Sequence, residues 1–314
     1  MVRVPDPITS NDGLLEGVYG DPPATLARLA TEARRFTPLD PSGEDLAEAP
    51  DALLDRLVVL APPGTLERQG VIAHGLRVLK PGGKLIALAR KDLGGMRLSA
   101  ELTRLGCRVV ERSKAHHRIC ACPRPVALDR LEPAIAQAAP RFIPQIGLWT
   151  QPGLFSWDRI DAGSALLLER LSDCKGRGAD LGCGIGVVSR ALLESSGVTQ
   201  LLLIDIDRRA IAMAKRNIDD PRAVFLHADA LQPKVLPQDL DFVAINPPRR
   251  VGGTADRSLA LDLLFAAIRA LRPGGRLLTV VERTLACESA IQARVSLLRP
   301  ATREGGYKLL EAVK

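Results

Sequence analysis

The chain has 314 residues, 46% apolar and 25% charged, the balance of a soluble globular protein long enough for two cores. No apolar run approaches the ~18 residues of a membrane span, and the opening MVRVPDPITSNDGLL lacks a signal-peptide core. Six cysteines are too sparse for a disulfide scaffold, so the expectation is a cytoplasmic protein with reduced thiols and no membrane partner.

The net charge of +7 is unevenly placed. Residues 1–70 carry 6 basic and 12 acidic side chains, whereas 77–124 carry 12 basic and 3 acidic ones. A solvated face with local ion pairs is the ordinary explanation of a charge run. The shortage of acids here favours an anionic partner instead, with Arg108, Arg112, Lys114 and Arg118 as candidate phosphate contacts. Two Trp, two Tyr and six Phe are too few to predict an aromatic stacking platform.

In chain order, DRLVVLAPP at 55–63 predicts an apolar strand ending in a Pro-Pro turn. An amphipathic helix follows, then VLKPGGKLIALAR at 78–90, a Gly-Gly turn feeding a second apolar strand. Lys84 after that turn, like Arg276 after its later counterpart, reads as a scaffold surface charge. The pattern HRICAC reads as a strand, and Cys120-Ala121-Cys122 beside His116 and His117 lacks a second ligand pair, so no metal is expected. Six prolines, at 123, 125, 133, 140, 144 and 152, mark the predicted join. The expected domains are 1–125 and 145–314, separated by a linker with short helical pieces over 126–144.

In the second half, GSALLLERLSDC (163–174) has helical spacing, and GADLGCG (178–184) is a strand running into a glycine turn. IGVVSRALLESS is a helix, LLLIDID a buried strand, AIAMAKRNI a helix, and AVFLHAD and DFVAINPP strands. Such alternation predicts an α/β fold with a parallel sheet covered on both faces and its chemistry at the carboxyl ends of the strands. DFVAINPP at 241–248 and ALRPGGRLLTVVE at 270–282 repeat the elements of the first half, offset by 185–186 and 192 residues. The ordered pair of motifs implies a duplicated domain.

Asp180-Leu181-Gly182-Cys183-Gly184-Ile185-Gly186 places an acidic residue and G-x-G-x-G between strand and helix, where the backbone turns tightly and approaches a ligand. The dinucleotide spacing G-x-G-x-x-G is absent, with Val187 following Gly186. Asp205 ends the next strand, suitably placed for a ribose diol, and Asp229 is placed for an adenine amino group. Ile206 and Ala230, which follow them, are grouped with the same site. Cys183 is a small filler in the loop, with no base nearby in sequence to make it a nucleophile. Asp207 reads as a helix N-cap and His227 as a structural residue near the ligand.

Asn246-Pro247-Pro248 ends the fourth strand. An exocyclic base amine is nearly planar and a poor nucleophile. A side-chain amide oxygen and a main-chain carbonyl can accept its two N–H bonds and aim its lone pair. Asn246 and Pro247 supply those oxygens, and the prolines stiffen the loop. The first copy has Ala61 opposite Asn246 by alignment on Pro-Pro, and no G-x-G-x-G upstream.

The acidic residue, the glycine loop and the two following aspartates resemble class I S-adenosylmethionine-dependent methyltransferases. More narrowly, the chain resembles the MTS (methyltransferase small) type ribosomal RNA guanine-N2 methyltransferases. Leu148-Trp149-Thr150-Gln151-Pro152-Gly153-Leu154-Phe155-Ser156 with Asp161-Ala162-Gly163-Ser164, Asn246-Pro247-Pro248, and Gly306-Tyr307-Lys308 carry that resemblance. It implies two tandem Rossmann-like methyltransferase domains, the N-terminal one degenerate and suited to RNA recognition. It also implies S-adenosylmethionine as cofactor, and methyl transfer to guanine N2 of 16S rRNA by a protein expected to be monomeric and to act on the small ribosomal subunit. One departure stands out: the family follows N-P-P with an aromatic residue that stacks on the flipped base. Here Arg249 and Arg250 follow, so a guanidinium plane takes that role, or Phe155 or Trp157 supplies the ring. The alternatives are a 23S rRNA target, a protein amide target, and a non-catalytic ribosome-assembly factor.

Overall fold

A computed structural model describes residues 13–171, 173–248, 250–251, 254–255 and 257–314. The chain divides into two compact units, one ending at Ala139 and the other beginning at Pro140. Both are α/β units of Rossmann-like architecture.

The first unit contains β1 (Glu16–Tyr19), β2 (Arg34–Phe36), β3 (Leu54–Leu60), α1 (Thr65–Val78), β4 (Leu79–Arg90), α2 (Gly95–Arg104), β5 (Val110–Lys114), β6 (His117–Pro123) and α3 (Leu131–Ala138). Its sheet runs β2-β1-β3-β4-β6-β5, parallel through β4 and antiparallel beyond. Cys120 and Cys122 lie on the core side of β6. The stretch read as a linker, 126–144, holds α3, whose Leu131 is buried in the first core. Gly70 on α1 allows that packing, since a Cβ there would lie 2.2 Å from Ala138 Cβ. Close helix packing thus makes most of this stretch part of the first unit rather than a tether.

The second unit opens with the hairpin β7 (Arg141–Ile143) and β8 (Leu148–Thr150), followed by α4 (Ala162–Leu168). Then come β9 (Gly176–Leu181), α5 (Val187–Leu193), β10 (Val198–Asp205), α6 (Arg208–Asn217), β11 (Ala223–His227) and β12 (Leu240–Ile245). The short β13 (Arg250–Val251) and β14 (Thr254–Ala255) precede α7 (Arg257–Ala270), β15 (Leu271–Glu282), α8 (Glu288–Gln292), β16 (Leu297–Glu304) and β17 (Tyr307–Val313). The main sheet, β11-β10-β9-β12-β15-β17-β16, is parallel except for β17, which runs antiparallel to both neighbours. Separate apolar clusters cover its two faces, as near-continuous apolar strands require.

The repeat survives in atomic detail. In each unit four residues of the K/R-P-G-G stretch bulge opposite a single aspartate, between the pairs Leu54↔Leu79 and Arg56↔Lys84, and between Leu240↔Leu271 and Phe242↔Arg276. Gly82 (φ 78°) and Gly274 (φ 76°) take the left-handed turn position. Asp55 pairs with Lys80 at 2.9 Å and Asp241 with Arg272 at 2.7 Å. Asp55 also accepts the Leu15 N–H, and Asp241 the Arg177 N–H.

This register corrects one correspondence. Arg56 lies opposite Glu16 and Lys84, as Phe242 lies opposite Gly178 and Arg276, so counting along the strands puts Leu60, not Ala61, in the place of Asn246. The first strand has one extra residue before its Pro-Pro, and alignment on the prolines hides it. The same counting equates Val18 with Asp180, Thr37 with Asp205, and Gly20 with Gly182. Gly20 keeps the left-handed φ of 71° against 69° at Gly182.

Candidate active site

The carboxyl ends of β9, β10, β11 and β12 converge, and the predicted residues of the glycine loop and strand tips stand there. Ile245 pairs with Leu181, so Asn246 follows its strand at the point where Gly182 follows the neighbouring one. Gly182 and Gly184 have positive φ and open space where a Cβ would be, the form of a backbone cradle. Gly186 instead meets Ile218 and Ala214 of the α6 region, a helix-packing position.

Asp180, at the end of β9, is 2% exposed, and its Oδ2 accepts from Ser189 Oγ of α5 at 2.5 Å. Burial pushes its carboxyl up to about 7; the Ser189 bond opposes the shift and the nearby Asp205 charge adds to it. Asp205 accepts Gly184 N–H on one oxygen and Asp207 N–H on the other, both at 2.8 Å, tying the glycine loop to the tip of β10. Burial lifts Asp205 to about 6, with those two backbone bonds pulling the other way. Burial also drives the Cys183 thiol well up, so it stays protonated.

Ile206, 40% exposed, offers an apolar flank beside Asp205. Its carbonyl is hydrogen-bonded to His227 Nε2 at 3.0 Å, which links the tips of β10 and β11. Asp229 turns the chain beyond β11 through the Leu231 N–H at 2.9 Å, and Ala230 beside it is half-buried. Asp207 caps α6 by accepting the Arg209 N–H at 2.9 Å.

On the other side of Asn246 opens a cleft lined by Asn246, Pro247, Pro248, Arg257, Ala260, Val280, Val281, Glu282, Leu285 and Tyr307. Asn246 Nδ2 donates to Ser164 Oγ at 3.0 Å and to the two Asp161 oxygens at 3.3 and 3.4 Å. Asp161 in turn caps α4 through the Gly163 and Ser164 N–H groups. Buried Lys308 braces the cleft wall, donating to Leu285 O at 2.5 Å and to Glu288 at 2.7 Å.

Sequence reasoning gave Asp161, Ser164 and Lys308 only a place in a motif, and missed Ser189 and Asn217. Asn217 accepts the Trp149 N–H and donates to the carbonyls of Trp149 and Ile185, stitching β8 to the glycine loop. A lone asparagine at a helix end gives no signal of three such bonds.

The remaining predicted positions are on other elements. Phe155 is 59% exposed on the loop after β8, and Trp157 is half-buried with the Arg141 guanidinium 5.9 Å from its ring centre. Arg249 is outside the described residues, and Arg250 begins the two-residue strand β13. In the first unit, Arg118 lies opposite Ser113 and pairs with Glu111 at 2.6 Å, while Arg112 and Lys114 alternate to the other face of the same hairpin. Arg108 is exposed just before β5.

Residues 145–311 match the family described as Methyltransferase small domain. A protein from Pseudomonas paraeruginosa named ribosomal RNA small subunit methyltransferase C is 28% identical over 80% of this chain and 76% of its own length. One of the same name from Acinetobacter baylyi is 28% identical over 84% and 80%. Among solved structures, the T. thermophilus 16S rRNA N2 G1207 methyltransferase, in complex with AdoMet and guanosine, superposes with a TM-score of 0.76 at 22% identity. That likeness covers 99% of this chain and 92% of the other, and establishes the two-domain fold. The chain belongs to the methyltransferase small domain family.

Proposed function

We propose that this protein is an S-adenosylmethionine-dependent methyltransferase acting on the exocyclic N2 of a guanine in 16S ribosomal RNA. The observation that carries the reading is Asn246. Its amide nitrogen is tied from behind, it follows its strand beside Gly182, and it lines an open cleft.

The residues around the glycine loop fit the cofactor. Asp180 is a buried carboxylate supported by the hydroxyl and the backbone N–H of Ser189, and a cationic ligand supplies the charge it lacks. Each Asp205 oxygen keeps a lone pair for a ribose hydroxyl, Ile206 offers an apolar wall, and Asp229 stands at the adenine end. S-adenosylmethionine, when bound, supplies a methyl group on a sulfonium centre.

Asn246 Oδ1 accepts one N–H of the guanine amine and the Pro247 carbonyl the other, which turns the nitrogen lone pair away from conjugation with the ring. Both contacts strengthen as the nitrogen gains positive charge, so they favour the transition state over the ground state. Pro247 and Pro248 hold the loop rigid, and the proton departs after transfer without a dedicated base. Arg249 and Arg250 take the position of the family's stacking ring, with guanidinium planes suited to a base face or a phosphate. The first unit recognises rRNA through Arg108, Arg112, Lys114 and Arg118. A cytoplasmic monomer acting on the small ribosomal subunit completes the reading.

The test is methyl transfer from radiolabelled S-adenosylmethionine to 16S rRNA and to small subunits from a strain lacking the gene. Mass spectrometry of nucleosides should show N2-methylguanosine. A different modified nucleoside would replace the guanine assignment, and cofactor binding without transfer to either RNA would favour an assembly factor.

A further inference from the structure

We infer that Asp161 and Ser164 fix the orientation of the Asn246 amide, and so make the site selective for an N–H-bearing acceptor. The inference rests on the proposed role of Asn246 and extends it to two positioning residues on another element.

A primary amide has two similar ends, one that donates and one that accepts, and only its hydrogen-bond partners decide which end faces where. Behind Asn246 stands a carboxylate, which when ionised only accepts, with both oxygens at 3.3–3.4 Å from Nδ2 and a hydroxyl at 3.0 Å. The nitrogen therefore points to α4 and the oxygen away from it. No hydrogen bond to Oδ1 occurs among the described residues, so it remains available to the cleft that Asn246 lines. A flipped amide would present two N–H groups to the incoming amine and repel it, while welcoming a keto oxygen. The Asp161 charge also polarises the amide and raises the electron density on Oδ1 where positive charge develops. Asp161 is itself held by two backbone N–H groups at the start of α4, so the orienting group is anchored.

Asp161→Asn tests this without losing the helix cap, because asparagine is an equally good cap. Its own amide pairs with either orientation of Asn246, so the bias disappears. The expected result is a kcat about tenfold or more lower, with KM for rRNA and the calorimetric Kd for S-adenosylmethionine within about twofold. The Asp161→Asn/Asn246→Asp exchange rebuilds the pair with reversed polarity: an N–H donor behind an oxygen that only accepts. It should recover about tenfold over Asp161→Asn alone. An exchange no more active than Asp161→Asn overturns the inference, as does a kcat loss matched by an equal loss of cofactor affinity or of thermal midpoint. If the wild-type protein methylates an acceptor other than guanine, that acceptor serves in the same comparison, so the two readings fail separately.

Discussion

The two units share a register, a bulge and a PGG turn, yet differ in what occupies the carboxyl ends of their strands. In the second unit Ala260 on α7 leaves a cleft beneath Pro247 and Pro248. In the first, the same helix position is Arg68, fully buried, bonded to Glu101 through two contacts of 2.7 Å and to the carbonyls of Pro62 and Pro63. The guanidinium fills the space where a base would enter. Between β1 and β2, and between β2 and β3, the helices and the edge strand that cover the second unit's cofactor side are missing. Ionic struts replace them: Glu16 pairs with Arg56, accepts the Ala30 N–H, and stands where Gly178 lies under the Phe242 ring. The first unit thus keeps the same sheet with buried, paired charges at positions that the second unit fills with Gly178, Phe242 and Ala260.

The sharpest way to break the comparison is at Asn246. Asn246→Ala should lower kcat by roughly 10²–10³-fold, the scale of losing one preorganised polar contact to the transition state, while S-adenosylmethionine affinity by calorimetry changes little. Leu60→Asn in the first unit should confer no activity, because Arg68 still fills the space beside it.

Asp180 comes next. Its carboxyl, raised to about 7, holds a proton in the ligand-free fold that the unfolded chain has lost above about pH 4. Stability of the ligand-free protein should therefore fall as pH rises from about 4 to 7. A cationic ligand favours the ionised form, so its binding should release a proton and tighten as pH rises through 7. Asp180→Asn should abolish that pH dependence and most of the binding, without lowering the ligand-free thermal midpoint. Calorimetry in buffers of different ionisation enthalpy reads the proton release.

Arg68→Ala should cost about 3–5 kcal/mol in denaturant unfolding of the first unit, the range for stranding one member of a buried pair. Arg68→Met with Glu101→Leu should cost less, and a loss no larger for the single variant than for the double would remove the plug from the comparison. The smallest effect belongs to the basic hairpin. Arg108→Gln should reduce the slope of log K for rRNA against log salt by about one, and Arg118→Gln by less, because Glu111 already engages Arg118.

The strands, the tandem architecture and the glycine loop were legible because buried parallel strands are short apolar runs and turns need glycine at fixed places. The linker was not: proline density at 123–144 looks like a break, whereas Gly70 on a distant helix is what lets α3 dock. The partner of Asn246 in the repeat was misread because prolines are conspicuous and register is not. The basic stretch was half legible. Arg77 meets Asp51 and Lys80 meets Asp55 in the fold, and charge counted along a chain cannot see such pairing. The tether behind Asn246 joins residues 85 apart, and only the meeting of α4 with the tip of β12 reveals it.

Asn217 ends α6 with its amide satisfied on three sides, by both backbone atoms of Trp149 and by the Ile185 carbonyl. One side chain therefore welds the entry strand to the hinge of the nucleoside cradle. The same amide holds the backbone of β8 and the carbonyl just before Gly186, so Asn217→Ala should loosen both at once.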